Sequence, residues 1–330
     1  MAKQTVLSGI KPSGIPHIGN YIGAISKWAE LQKKYNSYFC VADLHTITVS
    51  QNPKELKENT YLTTAIIIAA GIDPKKSPVF IQSHIPAHSE LGWIINTQST
   101  MGELSRMTQF KDATTKTNSP SIGTGLFTYP TLMAADIFLY NANLVPVGDD
   151  QKQHVELARN LAQRFNKRFG KTFVVPEPLV REDGARIMDL QNPDKKMSKS
   201  DEGDKGYILI TDKPDIIRKK IMGAVTDSGT TIVFDKKRKA LYNLLTIYKV
   251  LSKKTESQIE KKFKNKGYGD FKHDLAELII KEFTPIQKKI AAYMKDKKKL
   301  DRILADGAKR AGKVANKTLL EAKKKIGLIV

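Results

Sequence analysis

The sequence predicts an α/β protein in two parts: a Rossmann-like, doubly wound parallel sheet, followed by an all-helical C-terminal domain. Two observations predict it. Strand-like and helix-like segments alternate over the first ~80 residues, which is typical of a nucleotide-binding half of a parallel sheet. From about Thr211 onward, glycine and proline become sparse and lysine-rich helical segments dominate. A chain of 330 residues can hold about two domains. We therefore predict domains at residues 1–210 and 211–330.

The strands and helices of the first half are predicted from hydrophobic periodicity and from the glycines and prolines that bound the apolar runs. Thr5–Ile10 reads as a short strand, and apolar residues then recur at helical spacing over residues 18–34. Tyr38–His45 is an apolar run that fits a buried strand. Asn52–Gly71 is a helix that opens with proline and ends at a glycine able to adopt a left-handed conformation. Pro78–Ser83 is a third strand, which completes one strand–helix–strand–helix–strand unit.

The middle of the chain is less regular. Lys111–Gly125 is rich in Gly, Ser and Thr and predicts a mobile surface loop. A helix over Pro130–Asn141, a short strand over Leu144–Gly148 and a helix over Gln151–Phe169, closed by Gly170, restore the alternation. We also expect the extreme C-terminus of the helical domain to pack back on the first domain.

The charge is unevenly distributed. The net charge is +21, and residues 211–330 hold 31 basic and 14 acidic side chains, a net charge of +17. Lys and Arg that neutralise phosphates supply sequence-independent affinity for nucleic acid, so the helical domain is a candidate docking surface. The alternative is that lysine, which makes up 45 of the 55 basic residues, is simply this protein's preferred surface residue.

Cysteine usage and apolar runs limit the class of protein. The single cysteine, Cys40, lies in an apolar run, so it rules out an internal disulfide and indicates a buried thiol in a reducing compartment. No thiol cluster suits zinc. The N-terminus lacks the apolar stretch of a signal peptide, and the most apolar window, AIIIAAGI, is too short to cross a bilayer. These observations predict a cytoplasmic protein that does not contact membranes.

A candidate phosphate-binding turn, the histidine loop, covers Lys11–Asn20 and reads KPSGIPHIGN between a predicted strand and helix. Its glycines let the backbone approach a ligand, and the following helix offers free N–H groups and partial positive charge to a phosphate. His17 could donate a hydrogen bond to a phosphate oxygen in a transition state, and Asn20 could hold a nucleotide. From these residues alone, a purely structural turn is an equal alternative.

A second candidate, the lysine loop, covers Lys196–Ser200 and reads KMSKS after a Pro-Asp turn, which predicts a mobile segment. When a carboxylate attacks the α-phosphate of ATP, negative charge accumulates on the departing pyrophosphate. Ammonium groups at that point stabilise the transition state more than the ground state. Lys196 and Lys199 are the candidates. A solvated lysine run is the alternative, and the presence of the histidine loop about 180 residues earlier favours catalysis.

Together the two loops resemble the ATP-handling loops of class I aminoacyl-tRNA synthetases. Further blocks make the resemblance specific to the bacterial tryptophanyl-tRNA synthetases: DLHTITV from Asp43, RMTQFK from Arg106, TYPTLMAADIFLYNA from Thr128 and GARIMDL from Gly184. The matching blocks stand in order and span residues 8–200. The charged C-terminal helices resemble the anticodon-binding domain of the same family.

The resemblance implies a two-step ligase. L-Tryptophan reacts with ATP and Mg²⁺ to give tryptophanyl-adenylate, and the acyl group then passes to tRNA(Trp). It also implies a Rossmann catalytic domain and a homodimer, with no organic cofactor, no zinc and no protein-ligated metal. The positions that match the family's ATP contacts are Lys11, Pro12, Ser13, Gly19, Asn20, Gly148, Asp149, Asp150, Ile187, Lys196, Met197, Ser198, Lys199 and Ser200.

The family's tryptophan-reading position falls on Asp136. This assignment is chemically reasonable because indole has one polar edge group, an N–H, for which a carboxylate is a strong acceptor. Met133, His45, Gln109 and Leu7 match the rest of the pocket. Two of the matched positions depart from the family pattern: Lys11 stands where glutamine is usual, and Leu7 where an aromatic residue is common.

Three alternatives stay open on sequence alone. A tyrosyl-tRNA synthetase shares both loops but reads a phenol. A catalytically inactive RNA-binding paralogue would not need both loops intact. A tRNA-independent adenylyltransferase would have no use for a helical domain with a net charge of +17.

Overall fold

The computed structural model describes residues 3–116, 123–148, 151–179, 186–199 and 203–330 and contains a five-stranded parallel sheet. The strands are β1 (Thr5–Ile10), β2 (Asn36–Val41), β3 (Val79–Ile81), β4 (Leu144–Pro146) and β5 (Glu177–Leu179). Their spatial order is β3-β2-β1-β4-β5, and every neighbouring pair is parallel. The predicted doubly wound sheet is confirmed. The strand order reverses between β1 and β4, the position at which open α/β sheets bind ligands.

Helices cover the sheet and form the C-terminal part. Those of the first part are α1 (Ile18–Asn20), which continues through a π-helical turn (Tyr21–Ile25) into α2 (Ser26–Lys34), then α3 (Asp43–Thr46), α4 (Pro53–Ala69), α5 (Ala87–Asn96), α6 (Met101–Ser105), α7 (Thr108–Lys116), α8 (Thr124–Leu139) and α9 (Lys152–Phe169). Those of the second part are α10 (Pro214–Met222), α11 (Lys239–Ser252), α12 (Glu256–Phe263), α13 (Tyr268–Lys295) and α14 (Lys297–Ile326).

Helix α4 shows why its ends could be predicted. The side chain of Asn52 accepts hydrogen bonds from the backbone N–H of Lys54 at 3.0 Å and of Glu55 at 3.3 Å. Pro53 occupies the first turn, where its missing N–H has no partner to lose. Beyond the last turn, Gly71 has a φ of 115°, which side-chain-bearing residues rarely adopt.

Several predicted boundaries are wrong. The strand expected over Tyr38–His45 ends at Val41, because the chain turns into α3 there. The Asp43 carboxylate accepts the N–H of Ser83, which ties this turn to the end of β3. The loop expected over Lys111–Gly125 is helical in α7 up to residue 116 and again from residue 124, while residues 117–122 lie outside the described residues. The ring of Phe110 packs on Phe127 at 4.8 Å and so joins α7 to α8.

Strand β5 has no counterpart among the predicted elements. It contains Pro178 and follows Pro176, residues that argue against a strand. Proline is nevertheless compatible with an edge strand, and β5 stands at one edge of the sheet. Helix α8 also begins six residues before Pro130, the expected first residue, so that this proline lies inside the helix.

The helical part packs directly on the sheet part. Helix α13 contacts α4 and α10, and one buried apolar cluster runs from Val6 and Ile66 to Leu275 and Phe283. The division between residues 210 and 211 therefore stays a prediction about domains. In the part of the chain that the structure describes, no helix is long and apolar enough to cross a membrane.

Helix α14 covers the edge strand β3 and also contacts α5 and α8. The approach is closest at Gly307, where an added Cβ would lie 1.9 Å from the carbonyl oxygen of Val79. Since backbone cannot yield as a flexible side chain does, only glycine allows α14 this position. An exposed edge strand is a template for aggregation, and α14 shields this one.

We expect Gly307→Ala to destabilise the protein by about 1 to 3 kcal/mol, because the methyl group overpacks the contact between α14 and β3. Gly312→Ala in the same helix is the matched control. Its Cβ would meet only the side chain of Ile85, at 4.0 Å, so helix propensity should make it neutral or stabilising by up to about 1 kcal/mol. Denaturant unfolding of both variants measures this, and equal stability of the two would contradict the packing argument.

Candidate active site

The histidine loop follows β1 and ends in a reciprocal cap on α1. The N–H of His17 donates to the Asn20 side-chain oxygen at 3.0 Å, and the N–H of Asn20 donates to Nδ1 of His17 at 3.3 Å. Because Nδ1 accepts, the ring proton lies on Nε2. Burial, followed by the charges of Lys199 and Lys196, lowers the pKa of His17 to about 4. Near neutral pH the ring is therefore uncharged and retains one N–H donor.

The lysine loop begins in the second strand of a short hairpin. The N–H of Met197 donates to the carbonyl of Ile187 at 3.1 Å, and the N–H of Asp189 donates to the carbonyl of Lys195 at 2.9 Å. The side chains of Met197 and Ile187 are buried in the core. The beginning of the loop is thus anchored by its methionine. Lys196 is exposed and Lys199 half-buried, and partial burial lowers the pKa of Lys199.

The two loops are in direct contact. Nζ of Lys199 donates to the carbonyl of Ser13 at 3.3 Å, and a Cβ on Gly14 would lie 2.9 Å from that Nζ. A Cβ on Gly19 would lie 3.5 Å from Cβ of Ile187. The fold therefore brings the two motifs together beyond the carboxyl end of β1.

Backbone pairing holds the loops at this distance. The N–H of Ile18 donates to the carbonyl of Ile208 at 2.8 Å, and the N–H of Ile210 donates to the carbonyl of Pro16 at 3.0 Å. Residues just after the lysine loop thus pair antiparallel with the histidine loop on both sides of His17.

Asp136, on α8, is the centre of a buried polar network. One carboxylate oxygen lies 2.7 Å from Nε2 of His45, and the other lies 2.6 Å from Nδ1 of His88. Nε2 of Gln82 donates to both oxygens, at 2.8 and 3.0 Å. Nε2 of His88 lies 2.7 Å from the hydroxyl of Tyr140. Burial alone raises the pKa of Asp136. The charges of His45 and His88 and the hydrogen bonds that these residues form with the carboxylate outweigh burial and bring the pKa to about 2.

The network contains two buried polar atoms that lack a hydrogen-bond partner, close to an ionised carboxylate. Among the residues that the structure describes, Oε1 of Gln82 and Nδ1 of His45 are buried without a hydrogen-bond partner. Oε1 of Gln82 is always an acceptor, whereas Nδ1 of His45 accepts only when that ring is neutral. A buried polar atom without a partner is costly, so the region suits a ligand that donates N–H groups.

Aromatic contacts connect the carboxylate to the histidine loop. The ring of His45 lies 6.0 Å from the ring of Tyr129, and Nζ of Lys11 lies 5.2 Å from the centre of that same ring. The hydroxyl of Tyr129 donates to the side chain of Gln109 at 2.8 Å and also bonds to His154. The sequence-predicted residues Lys11, His45, Gln109 and Asp136 therefore border one region.

Other predicted residues lie around it less directly. Met133 is half-buried on α8, one helical turn before Asp136, and Leu7 is buried in the apolar cluster on that side of β1. Gly148 is exposed just after β4, the strand beside β1, while Pro12 is buried. Asp149, Asp150 and Ser200 lie outside the described residues. In the described ranges, no three His, Cys, Asp or Glu side chains form a metal-binding group.

Sequence reasoning missed Gln82, His88, Tyr140 and Tyr129. Gln82 had a usable signal, since it directly follows the apolar strand β3 at the carboxyl edge of a parallel sheet. His88 had none, because its role depends on the packing of α5 against α8.

Comparison with known proteins agrees with this architecture. The model of the class I tRNA synthetases specific for W and Y matches residues 2–284, and the chain belongs to this family. The tryptophan–tRNA ligase of Clostridium perfringens is 52% identical over 327 residues, which cover 99% of this chain and 98% of that protein. The enzyme of the same name from Bacillus subtilis is 50% identical over 327 residues, with the same coverage.

Solved structures give the same result. Tryptophanyl-tRNA synthetase from Mycoplasma pneumoniae superimposes with a TM-score of 0.92 at 39% identity, covering 99% of this chain and 98% of that one. The Campylobacter jejuni enzyme, solved with ADP and tryptophan, gives 0.85 at 36% identity, with 98% and 100% covered. A tyrosyl-tRNA synthetase from Aeropyrum pernix, with a TM-score of 0.70 at 19% identity, shares the fold alone. The family inferred from the sequence is confirmed.

Proposed function

We propose that this chain is an ATP-dependent ligase that joins L-tryptophan to tRNA(Trp). The relatives at about half identity over nearly full length are tryptophan–tRNA ligases, which supports the reaction and the substrate. The observation that carries the proposal is the buried, ionised carboxylate of Asp136 within a continuous series of contacts to the two loops. Translation requires such an enzyme in the cytoplasm, where we expect this one to act.

The first step is an in-line displacement. A carboxylate oxygen of tryptophan forms a bond to the α-phosphorus of ATP, and the bond from that phosphorus to the bridging oxygen of pyrophosphate breaks. Mg²⁺ enters with the nucleotide. Lys196 and Lys199 neutralise the charge that grows on pyrophosphate, and Nε2–H of neutral His17 donates to a phosphate oxygen. No covalent bond to the protein is needed.

The second step transfers the acyl group. The oxygen of the terminal ribose hydroxyl of tRNA forms a bond to the tryptophanyl carbonyl carbon, and its proton passes to the phosphate of the departing AMP. AMP leaves with the electrons of the broken acyl–phosphate bond. The helical region, with a net charge of +17 from residue 211 onward, supplies the docking surface for the tRNA backbone.

Asp136 determines which amino-acid substrate the proposed pocket accepts. We propose that the indole N–H donates to its carboxylate and takes the place of one of the two contacts that Nε2 of Gln82 makes with it. Phenylalanine has no such donor and would place an apolar ring edge against the buried carboxylate without a hydrogen bond, a mismatch that polar-reading sites reject strongly. Tyrosine can donate, so exchange with tyrosine is the direct test of the tyrosyl alternative.

We further propose a homodimer. Trp93 on α5 is 69% exposed beside a groove of about 420 Å³ between α5 and α8, whose walls include Ile47, Gly92 and Leu132. A large exposed apolar patch marks an interaction site. The family resemblance indicates a second copy of this chain as its occupant.

Replacing Asp136 by asparagine keeps the shape but removes the charge and presents an N–H₂ group to existing donors. We expect a loss of about 2 to 4 kcal/mol in transition-state stabilisation, calculated from kcat/KM for tryptophan in pyrophosphate exchange. KM for ATP should be nearly unchanged. Asp73→Asn, in a surface turn, serves as the control and should be silent. Tryptophan activation within about threefold of the parent would remove Asp136 from the proposed pocket.

The two charged regions should respond differently. Lys199→Ala should lower kcat of exchange with little change in KM for tryptophan, because the charge it meets grows toward the transition state. Replacing exposed lysines of the helical region by glutamine should instead spare exchange, weaken tRNA binding and flatten its salt dependence by about one unit of slope per lost phosphate contact. The chosen lysines are Lys288, Lys289 and Lys298.

Matched charge removal in the first part of the chain is the control for the lysine substitutions, at Lys54, Lys57 and Lys75. Exchange and tRNA charging are measured side by side at several salt concentrations. Equal losses in both assays for the helical set would mean that these lysines support the catalytic fold. A salt slope identical to that of the control set would mean that their charge only solubilises the protein.

For the dimer, sedimentation of the parent chain should give twice the monomer mass, and Trp93→Glu should give the monomer, because a charge cannot be buried unpaired at such an interface. Val225→Glu, at a position that is 42% exposed in the helical region, is the control and should leave the dimer intact. A monomeric parent, or a dimeric Trp93→Glu variant, would refute this interface.

A further inference from the structure

The hairpin that carries the lysine loop is fastened to the helical region by a buried carboxamide. The side-chain oxygen of Asn243, on α11, accepts the N–H of Met188 at 2.8 Å, and its Nδ2 donates to the carbonyl of the same residue at 2.9 Å. Asn243 is 4% exposed. Its side chain thus replaces a neighbouring strand for one residue of the hairpin and leaves neither of that residue's backbone groups unpaired.

This contact determines where the lysines lie. Met188 pairs across the hairpin with Lys196, so the position of the one residue fixes the position of the other. Lys199 follows three residues later and reaches the carbonyl of Ser13 in the histidine loop. Met197, between the two lysines, is buried, so the chain from Lys196 to Met197 is held in place. A displacement of the hairpin at Met188 would therefore also displace the ammonium groups of Lys196 and Lys199.

The segment that follows the lysine loop is fastened in the same way. Nε2 of Gln287, on α13, donates to the carbonyls of Ile210 at 2.8 Å and Asp212 at 2.9 Å. Ile210 in turn donates its N–H to the carbonyl of Pro16, next to His17. One carboxamide therefore supports the lysine side of the candidate site, and the other supports the histidine side.

We propose that Asn243 and Gln287 are positioning residues for the pyrophosphate end of the ATP site. They act through Lys196, Lys199 and His17 and touch no substrate themselves. The inference rests on the proposed function, since it gives a role in catalysis to two side chains of the helical region. An apolar side chain would serve packing at either position, but it could not form hydrogen bonds with these backbone groups.

The test substitutes leucine for each carboxamide. Asn243→Leu leaves two partly buried backbone groups of Met188 without their side-chain partner, and Gln287→Leu does the same for two partly buried carbonyls. The matched controls are Thr246→Val on α11 and Thr284→Val on α13. Each of these threonines is half-buried, and its hydroxyl donates to a carbonyl of its own helix. Pyrophosphate exchange is assayed well below each unfolding midpoint.

We expect Asn243→Leu to lower kcat of exchange roughly tenfold to a hundredfold, since small misplacements of catalytic groups have effects of this size. KM for tryptophan should stay within about twofold, because Asp136 and its partners belong to other elements. Gln287→Leu should act in the same direction, and both threonine controls should stay within about twofold of the parent in kcat.

A double-mutant cycle separates positioning from general destabilisation. If Asn243 acts through Lys199, then Asn243→Leu should cost much less in the Lys199→Ala background than in the parent. Additive losses in this cycle, or equal losses in the threonine controls, would overturn the inference. A parent chain without tryptophan-dependent exchange would instead refute the proposed function, and with it the catalytic role given to both residues.

Discussion

The backbone pairing between residues 16–18 and residues 208–210 is the constraint on which the candidate site depends. It joins the histidine loop to the segment that follows the lysine loop, and each loop alone has an ordinary structural explanation. The two hydrogen bonds, from Ile18 to Ile208 and from Ile210 to Pro16, lie on either side of His17. Backbone groups form both hydrogen bonds, so the pairing is compatible with many side chains. For the same reason, no pattern of side chains in the sequence predicts it.

A second constraint is the charge kept inside the sheet part. A buried carboxylate ordinarily gains a proton, yet Asp136 remains ionised because His45, His88 and Gln82 all donate to it. The burial of Tyr140 and its contact with His88 extend the network into the core. Stability and the proposed recognition of the amino acid are therefore coupled here, since any change that frees the carboxylate also leaves buried donors unpaired.

The sequence predicts those features that depend on local rules. The ends of α4 follow from a capping asparagine and a glycine with positive φ, and β1 follows from its apolar run beside a glycine-rich turn. It fails where tertiary contacts decide. Strand β5 is hidden by its prolines, and the helical turn α3 after Val41 depends on the link from Asp43 to Ser83. Likewise Asp136 could be assigned by resemblance, but its three donors come from segments that only the fold assembles.

The arrangement of charge gives the proposed substrates an orientation. Asp136 is negative at one end of the region, and Lys11, Lys196 and Lys199 lie toward the other, where the histidine loop ends β1. A zwitterionic amino acid that donates its indole N–H to Asp136 is repelled at its carboxylate by the same charge and attracted toward the lysines. Lys11, over the ring of Tyr129, stands between the two ends. Under the proposed function, Lys11 therefore adds positive charge between the carboxylate of Asp136 and the lysines assigned to pyrophosphate.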